Sequence, residues 1–325
     1  RIYELRHISD EPLGDWLAAA LKPGQRLGYD PWLHTASAIE RLQQSIAKTG
    51  AELVAVESNP LDAVWSAQPP PPLSPAVPHP LQYSGRDSAA KREEIATRLA
   101  AEGAEALVIT QPDNIAWLLN IRGGDVPHTP LPLSFALLRR DARITLFIDQ
   151  RKLAPGTPAH LGAAVSIEPP AALLSALDGL RDARVQIDAN AAAAALVDHL
   201  TRSGAKVLRA EDPITAAKAC KNPVELDGTR AAHKRDGAAL SRFLAWIASE
   251  APKGGLTEIA ASDRLEEFRR ATGALKDLSF DTISGAGPNG AVVHYRATQA
   301  SNRPIESGQL YLVDSGAQYA DGTTD

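Results

Sequence analysis

RVQIDANAAAAALVDHLTRSGAKVLRA, residues 184–210, decides the fold. Residues 184–188 alternate as a strand. Residues 191–202 carry the small and apolar residues of a helix, Gly204 ends it, and residues 206–210 form a second strand. RLGYDPWLHTASAIERLQQSIAKTGAELVAV, residues 26–56, has the same order: a strand at 26–30, a helix at 36–48, Gly50, and a strand at 52–56. Both stretches close on a polar residue and proline, Asn59-Pro60 and Asp212-Pro213. Strand–helix–strand order makes each an α/β unit. Two copies of one unit is the preferred reading, and chance likeness of two αβ segments is the alternative.

The second copy has more chain in front of it. A helix is expected from Ser84 to Gly103 and a strand at 106–110. An apolar run follows at 115–119, then a hairpin-like pair at 134–138 and 143–148. If the copies correspond, roughly 75 residues are expected before Arg1. Between the copies, Pro69 to Pro72 with Pro75, Pro78 and Pro80 exclude helix and central strand, which predicts an extended connector and a domain boundary. A third region opens at Asn222-Pro223-Val224-Glu225: N-cap, proline at the first helical position, and glutamate three residues after the cap. Leu240, Phe243, Leu244 and Ile247 share one face of that helix, and Pro252 with Gly254-Gly255 stops it. Thr257 caps another helix with Ala261, Leu265 and Phe268 inward. The expected organisation is residues 1–78, 79–216 and 217–325.

Composition narrows the function. A net charge of −5 offers no basic face for nucleic acid. Arg139-Arg140 beside Asp141 reads as a solvated turn. No run of 18 apolar residues is present, so no membrane span is expected. The single cysteine, Cys220, makes no internal disulfide, which fits a reducing compartment. It is expected to be buried as a small hydrophobe. The chain contains no methionine and starts at Arg1, so a piece of a longer protein is expected.

The chemistry lies near the end. Residues 310–314 read as an apolar strand ending in Asp314. Asp321-Gly322 is a turn signal, and Thr323-Thr324 favour a returning strand that ends at Asp325. A hairpin could bring Asp314 and Asp325 to one side, although spacing alone does not fix the register. Two carboxylates repel, a cation between them relieves the cost, and oxygen ligands suit Mn²⁺ or Mg²⁺. Equally, strand-end aspartates are common, and Asp321 reads as a plain turn residue. Upstream, the small residues of 284–291 let the backbone pass close to something, and the chain then reads as a short strand ending in His294. The terminal Lys-Ser/Thr of a P-loop is missing, which excludes nucleotide binding there. His294 could be a structural hydrogen-bonder or a reacting group.

Residues 311–319 and 321–325 resemble the first two metal-ligand segments of the Xaa-Pro aminopeptidases, and residues 278–294 are similar to the same family. So are 115–123, 221–225, 253–259 and 59–65, in order along the whole chain. The resemblance implies an α/β and α+β architecture: two related creatinase-N-like α/β domains, then an incomplete pita-bread catalytic domain. It implies two divalent metal ions, with Mn²⁺ expected, Asp314 and Asp325 as ligands, and Asp325 shared by both ions. His294 would contact substrate and stabilise the reacting carbonyl. One His and two Glu are expected beyond Asp325, and a substrate-contacting Arg before Arg1. The implied reaction is attack by a metal-bridged hydroxide on peptides with proline at position 2, in the cytoplasm, and a homodimer is left open. Competing readings are a prolidase- or creatinase-like hydrolase, against which the repeat argues, and a non-catalytic binding protein on the same fold.

Overall fold

The computed structural model describes residues 4–325. Its centre is a six-stranded sheet in the order Lys206–Arg209, Arg184–Ile187, Ala106–Ile109, Phe135–Arg139, Ile144–Phe147 and Val165–Glu168. The first three strands run parallel, and Phe135–Arg139 runs antiparallel to both its neighbours. All four residues of Ala106–Ile109 are buried because both faces of this central strand are covered. Leu107 and Ile109 pack with Ile95, Leu99, Ile115 and Leu118 on one face. Ala106 and Val108 pack with Val185, Ile187, Val197 and Leu200 on the other. This is the two-residue alternation of a strand.

Both copies of the repeat form as expected. In the first, strands Arg26–Tyr29 and Glu52–Ala55 pair in parallel around helix Ala36–Ile46. In the second, Arg184–Ile187 and Lys206–Arg209 do so around Ala194–Ser203. The copies meet through equivalent residues. Thr35 and Ala193, the two helix N-caps, bridge antiparallel. Ala36 N–H donates to Ala192 O at 3.1 Å, and Ala194 N–H donates to His34 O at 2.9 Å. Ala36 and Ile39 then join the core on the second copy's side. The first unit thus docks as a pseudo-symmetric mate.

Four expectations need correction. The helix placed from Ser84 begins at Ser88, where Asp87 caps it; Leu81–Ser84 is a separate turn of helix. The proline stretch is an unpaired connector only as far as Pro75. Ala76 is fully buried and bridges Leu153, and Val77–Pro78 pairs with Ile121–Arg122, because a two-stranded edge tolerates proline. Cys220 is exposed: it sits at the C-cap of helix Pro213–Ala219, where the chain turns towards the next helix. Leu244 points outward at 50 % exposure while Phe243 is fully buried, so the core-facing stripe is narrower than the apolar pattern.

The third region starts at the Asn222–Glu225 capping box, with both reciprocal bonds present, and runs as one helix over Pro223–Glu250. Trp117 Nε1 donates to Glu225 at 3.1 Å and Asn222 Nδ2 to Ser84 O at 2.8 Å, which fixes this helix against the second α/β unit. Phe243, Ala261, Leu265, Ala286 and Ile305 form a small separate core under helix Glu258–Arg270. Each large side chain buried there contributes about 1.5–3 kcal/mol.

Candidate metal and substrate site

The end of the chain folds as a hairpin. Strand Tyr311–Asp314 pairs antiparallel with Ile283–Ala286, and Asp314 faces Ile283. Ala317–Gln318 pairs with Asp277–Leu278 on one side. On the other it meets the returning chain: Gln318 bridges Thr323, and Thr324 N–H donates to Ala317 O at 2.9 Å. Tyr319 N–H to Gly322 O at 2.9 Å closes the turn. Continuing this register opposes Asp325 to Gly316, two residues from Asp314. Gly316 has no room for a side chain, since a Cβ would lie 2.1 Å from both Thr324 O and Ser279 Oγ. The long helix approaches equally closely, and a Cβ on Gly228 would lie 2.4 Å from Asp321 O. Asp321 is the turn residue expected, held by a two-pronged ion pair to Arg235 at 3.0 and 2.8 Å.

Asp314 and Asp325 are both exposed, and among the described residues neither side chain has an ion-pair partner. They fit a hard cation in charge and donor type, but as two ligands of a larger set. Among the described residues no three His, Cys, Asp or Glu side chains converge as a metal site.

Beneath the hairpin is a buried ion pair that the sequence reading missed. Arg269, fully buried, donates to both oxygens of Asp236 at 2.8 and 3.0 Å. Asp236 also accepts from Tyr319 Oη at 2.8 Å and Thr324 Oγ1 at 3.0 Å, and Arg269 Nη2 donates to Ser315 Oγ at 3.1 Å. Burial pushes the Asp236 carboxyl up, but the hydrogen bonds from Arg269, Tyr319 and Thr324 more than offset it and hold it below the usual range. The signal was a charged residue on each apolar helix face. Asp236 shares its stripe with Ala232, Ala239 and Phe243, and Arg269 follows Ala261 and Leu265.

His294 does not end a strand. Gly287–Ala291 forms a 3-10 turn, Val292 and Val293 are 53 % and 82 % exposed, and His294 adopts a left-handed φ of 52°. Such a φ is uncommon for a residue with a Cβ. The exposed imidazole lines a groove of about 370 Å³ with His128, Phe280, Asp281, Ile283 and Tyr295. Ile283 is also the backbone partner of Asp314, so the groove borders the hairpin. The structure records no contact between His294 and either aspartate.

A carboxylate holds this loop. Glu258, fully buried, accepts from Ala286 N–H at 2.7 Å, Asn289 Nδ2 at 3.0 Å, Tyr295 Oη at 2.9 Å and Arg303 N–H at 3.0 Å. Burial pushes its carboxyl up, and these bonds, led by Ala286 N–H, bring it below its ordinary value. From the second α/β unit, His128 reaches the groove's other wall. Its N–H donates to Asp277 at 3.2 Å, and its ring meets Leu278 O at 3.2 Å and Asp281 at 3.3 Å. A histidine between Pro127 and Pro130 was the available signal.

Comparison with known proteins agrees with this architecture. Residues 67–225 match the creatinase/prolidase N-terminal domain, and residues 227–325 match metallopeptidase family M24. The chain is 39% identical over 322 residues to a probable Xaa-Pro aminopeptidase P of Aspergillus niger, covering 96% of this chain and 52% of the relative. It is 38% identical over 344 residues to aminopeptidase P2 of Arabidopsis thaliana, covering 96% and 48%. The chain thus spans about half the length of the curated relatives it matches. A crystal structure of a Caenorhabditis elegans X-prolyl aminopeptidase, described as cytosolic with a di-nuclear active site, superposes with a TM-score of 0.89. It shares 32% identity and covers 96% of this chain and 52% of its own. A Bacillus anthracis Xaa-Pro dipeptidase shares the fold at a TM-score of 0.56 and 17% identity, over 72% of this chain and 62% of its own. With the second α/β unit and the hairpin region alike matched, the chain carries a creatinase/prolidase N-terminal domain over residues 67–225, followed by a metallopeptidase family M24 region over residues 227–325.

Proposed function

We propose that this chain is part of a metal-dependent aminopeptidase that releases the first residue of peptides with proline at position 2. The carrying observation is that Asp314 pairs with Ile283, which lines the groove that holds His294, while the returning chain brings Asp325 opposite Gly316, two residues from Asp314. The naming of the similar enzymes from three organisms supports it. In this reading residues 1–78 belong to a first creatinase-N-like domain, 79–216 form a second, and 217–325 belong to the pita-bread catalytic domain.

Asp314 and Asp325 would hold part of a two-cation centre, with Mn²⁺ the proposed metal, since their donors are oxygens only. Such cations, when bound, acidify a water molecule and polarise the scissile carbonyl. His294 stands exposed at the groove, where it can donate a hydrogen bond to the carbonyl oxygen as charge builds there. Proline at position 2 removes the amide hydrogen of the scissile bond and fixes φ, so recognition must rest on shape. A cytosolic setting is proposed from the single Cys220 and from the description of the nematode enzyme. Hydrolysis of Arg-Pro-Pro and Arg-Ala-Ala by the intact protein tests the specificity. Release of arginine from the first alone is expected, and equal cleavage of both would overturn the reading.

A further inference from the structure

We infer that the buried Asp236–Arg269 pair positions the two carboxylates of the proposed metal centre, an inference that rests on the reading above. Its reach is specific. Arg269 Nη2 donates to Ser315 Oγ, and Ser315 follows Asp314. Asp236 accepts from Thr324 Oγ1, and Thr324 precedes Asp325. One ion pair therefore grips the residue next to each aspartate, on the two arms of the hairpin. Thr324 is held three times more: its N–H donates to Ala317 O at 2.9 Å, its Oγ1 accepts from Ala317 N–H at 3.0 Å, and its carbonyl accepts from Ser279 Oγ at 2.8 Å.

A plain stabilising role explains this placement poorly. Desolvating two charges is costly, and a well-packed apolar pair often serves stability as well or better. Arg269 moreover keeps Nη1 buried with no partner, so the guanidinium is not fully satisfied by the fold around it. What the pair does supply is a rigid two-pronged fork with a fixed span, lying under two segments whose exposed carboxylates have no ion-pair partner among the described residues. Two anions meant to share cations need their separation fixed before the cations arrive. Groups behind metal ligands commonly set affinity by orienting them.

Tyr319 provides the control. Its hydroxyl donates to the same Asp236 carboxylate, but neither neighbour of Tyr319 is a candidate ligand. The experiment is calorimetric titration of the metal-free intact protein with Mn²⁺, alongside melting temperatures, for wild type, S315A, T324V, Y319F and D314N. Ser315→Ala cuts one grip, and Thr324→Val cuts the other together with the acceptor of Ala317 N–H, each at near-native volume. Each is expected to weaken Mn²⁺ binding by about 10- to 100-fold. Tyr319→Phe is expected to lower the melting temperature while leaving affinity within about threefold of wild type. Wild-type affinity in S315A and T324V would overturn the inference, as would an equal loss in Y319F, which would mark general loosening. If D314N binds as wild type does, the underlying metal assignment fails, and the positioning role fails with it.

Discussion

Replacing Glu258 by glutamine keeps the shape of the side chain and removes its charge and half its accepting capacity. In the native fold one oxygen accepts from Ala286 N–H and Asn289 Nδ2, and the other from Tyr295 Oη and Arg303 N–H. A glutamine carbonyl serves one of these pairs, and its NH₂ group faces two donors. Tyr295 Oη can turn to Ser301, whose Oγ lies at 3.0 Å, but a buried backbone N–H cannot turn. The variant therefore trades charge-assisted bonds for neutral ones and leaves one backbone donor unpaired, a loss of about 2–4 kcal/mol. At about 1.4 kcal/mol per factor of ten, amide hydrogen exchange at Ala286 or Arg303 should speed up roughly 30- to 700-fold. The strand Ala106–Ile109, in a different core, should keep its protection. Mass spectrometry of exchanged peptides reads both regions in one experiment. Unchanged protection at Ala286 and Arg303 would refute the claim that this carboxylate holds the loop bearing His294.

Acid should act on the same region. Asp236 and Glu258 both have carboxyls held below their ordinary values, so the stability they contribute is present above the unfolded-state pKa of about 4 and is lost as pH falls through the folded-state value. Urea midpoints measured from pH 6 downward should decline below about pH 4.5, with a shallower decline in E258Q; the same slope in both would count against the assignment. For His294→Ala, kcat/KM of the intact protein should drop by about 10²-fold or more with little change in melting temperature, because the imidazole is exposed. Lost stability with unchanged activity per folded molecule would return His294 to a structural role.

The parts legible in the sequence were those governed by local periodicity and caps. The repeat announced itself because a glycine stands between helix and second strand in both copies, Gly204 as a helix C-cap and Gly50 in the turn after Ile46, and Asn222–Glu225 because a capping box is a four-residue device. Near His294 the local signal misled. Val292 and Val293 have strand-like side chains, but no strand lies beside them, and Gly287 with Pro288 turns the chain into a 3-10 coil first. The hairpin register was out of reach because it depends on close approaches from far along the chain. Ser279 lies against Gly316, and the helix at Gly228 against Asp321. Cys220 followed the usual preference of its side chain until the bend between two helices left it outside. The Asp236–Arg269 pair leaves only two charges on apolar stripes as its trace in the sequence, and the fold alone reveals that they face each other.

The most direct test is the metal content of the intact protein, purified in Mn²⁺ and measured by mass spectrometry for wild type, D314N and D325N. Two ions per chain are expected in wild type, with one or both lost in each variant, since both carboxylates are proposed ligands. Two ions retained in D314N and D325N alike would contradict the assignment of the hairpin as part of the metal centre.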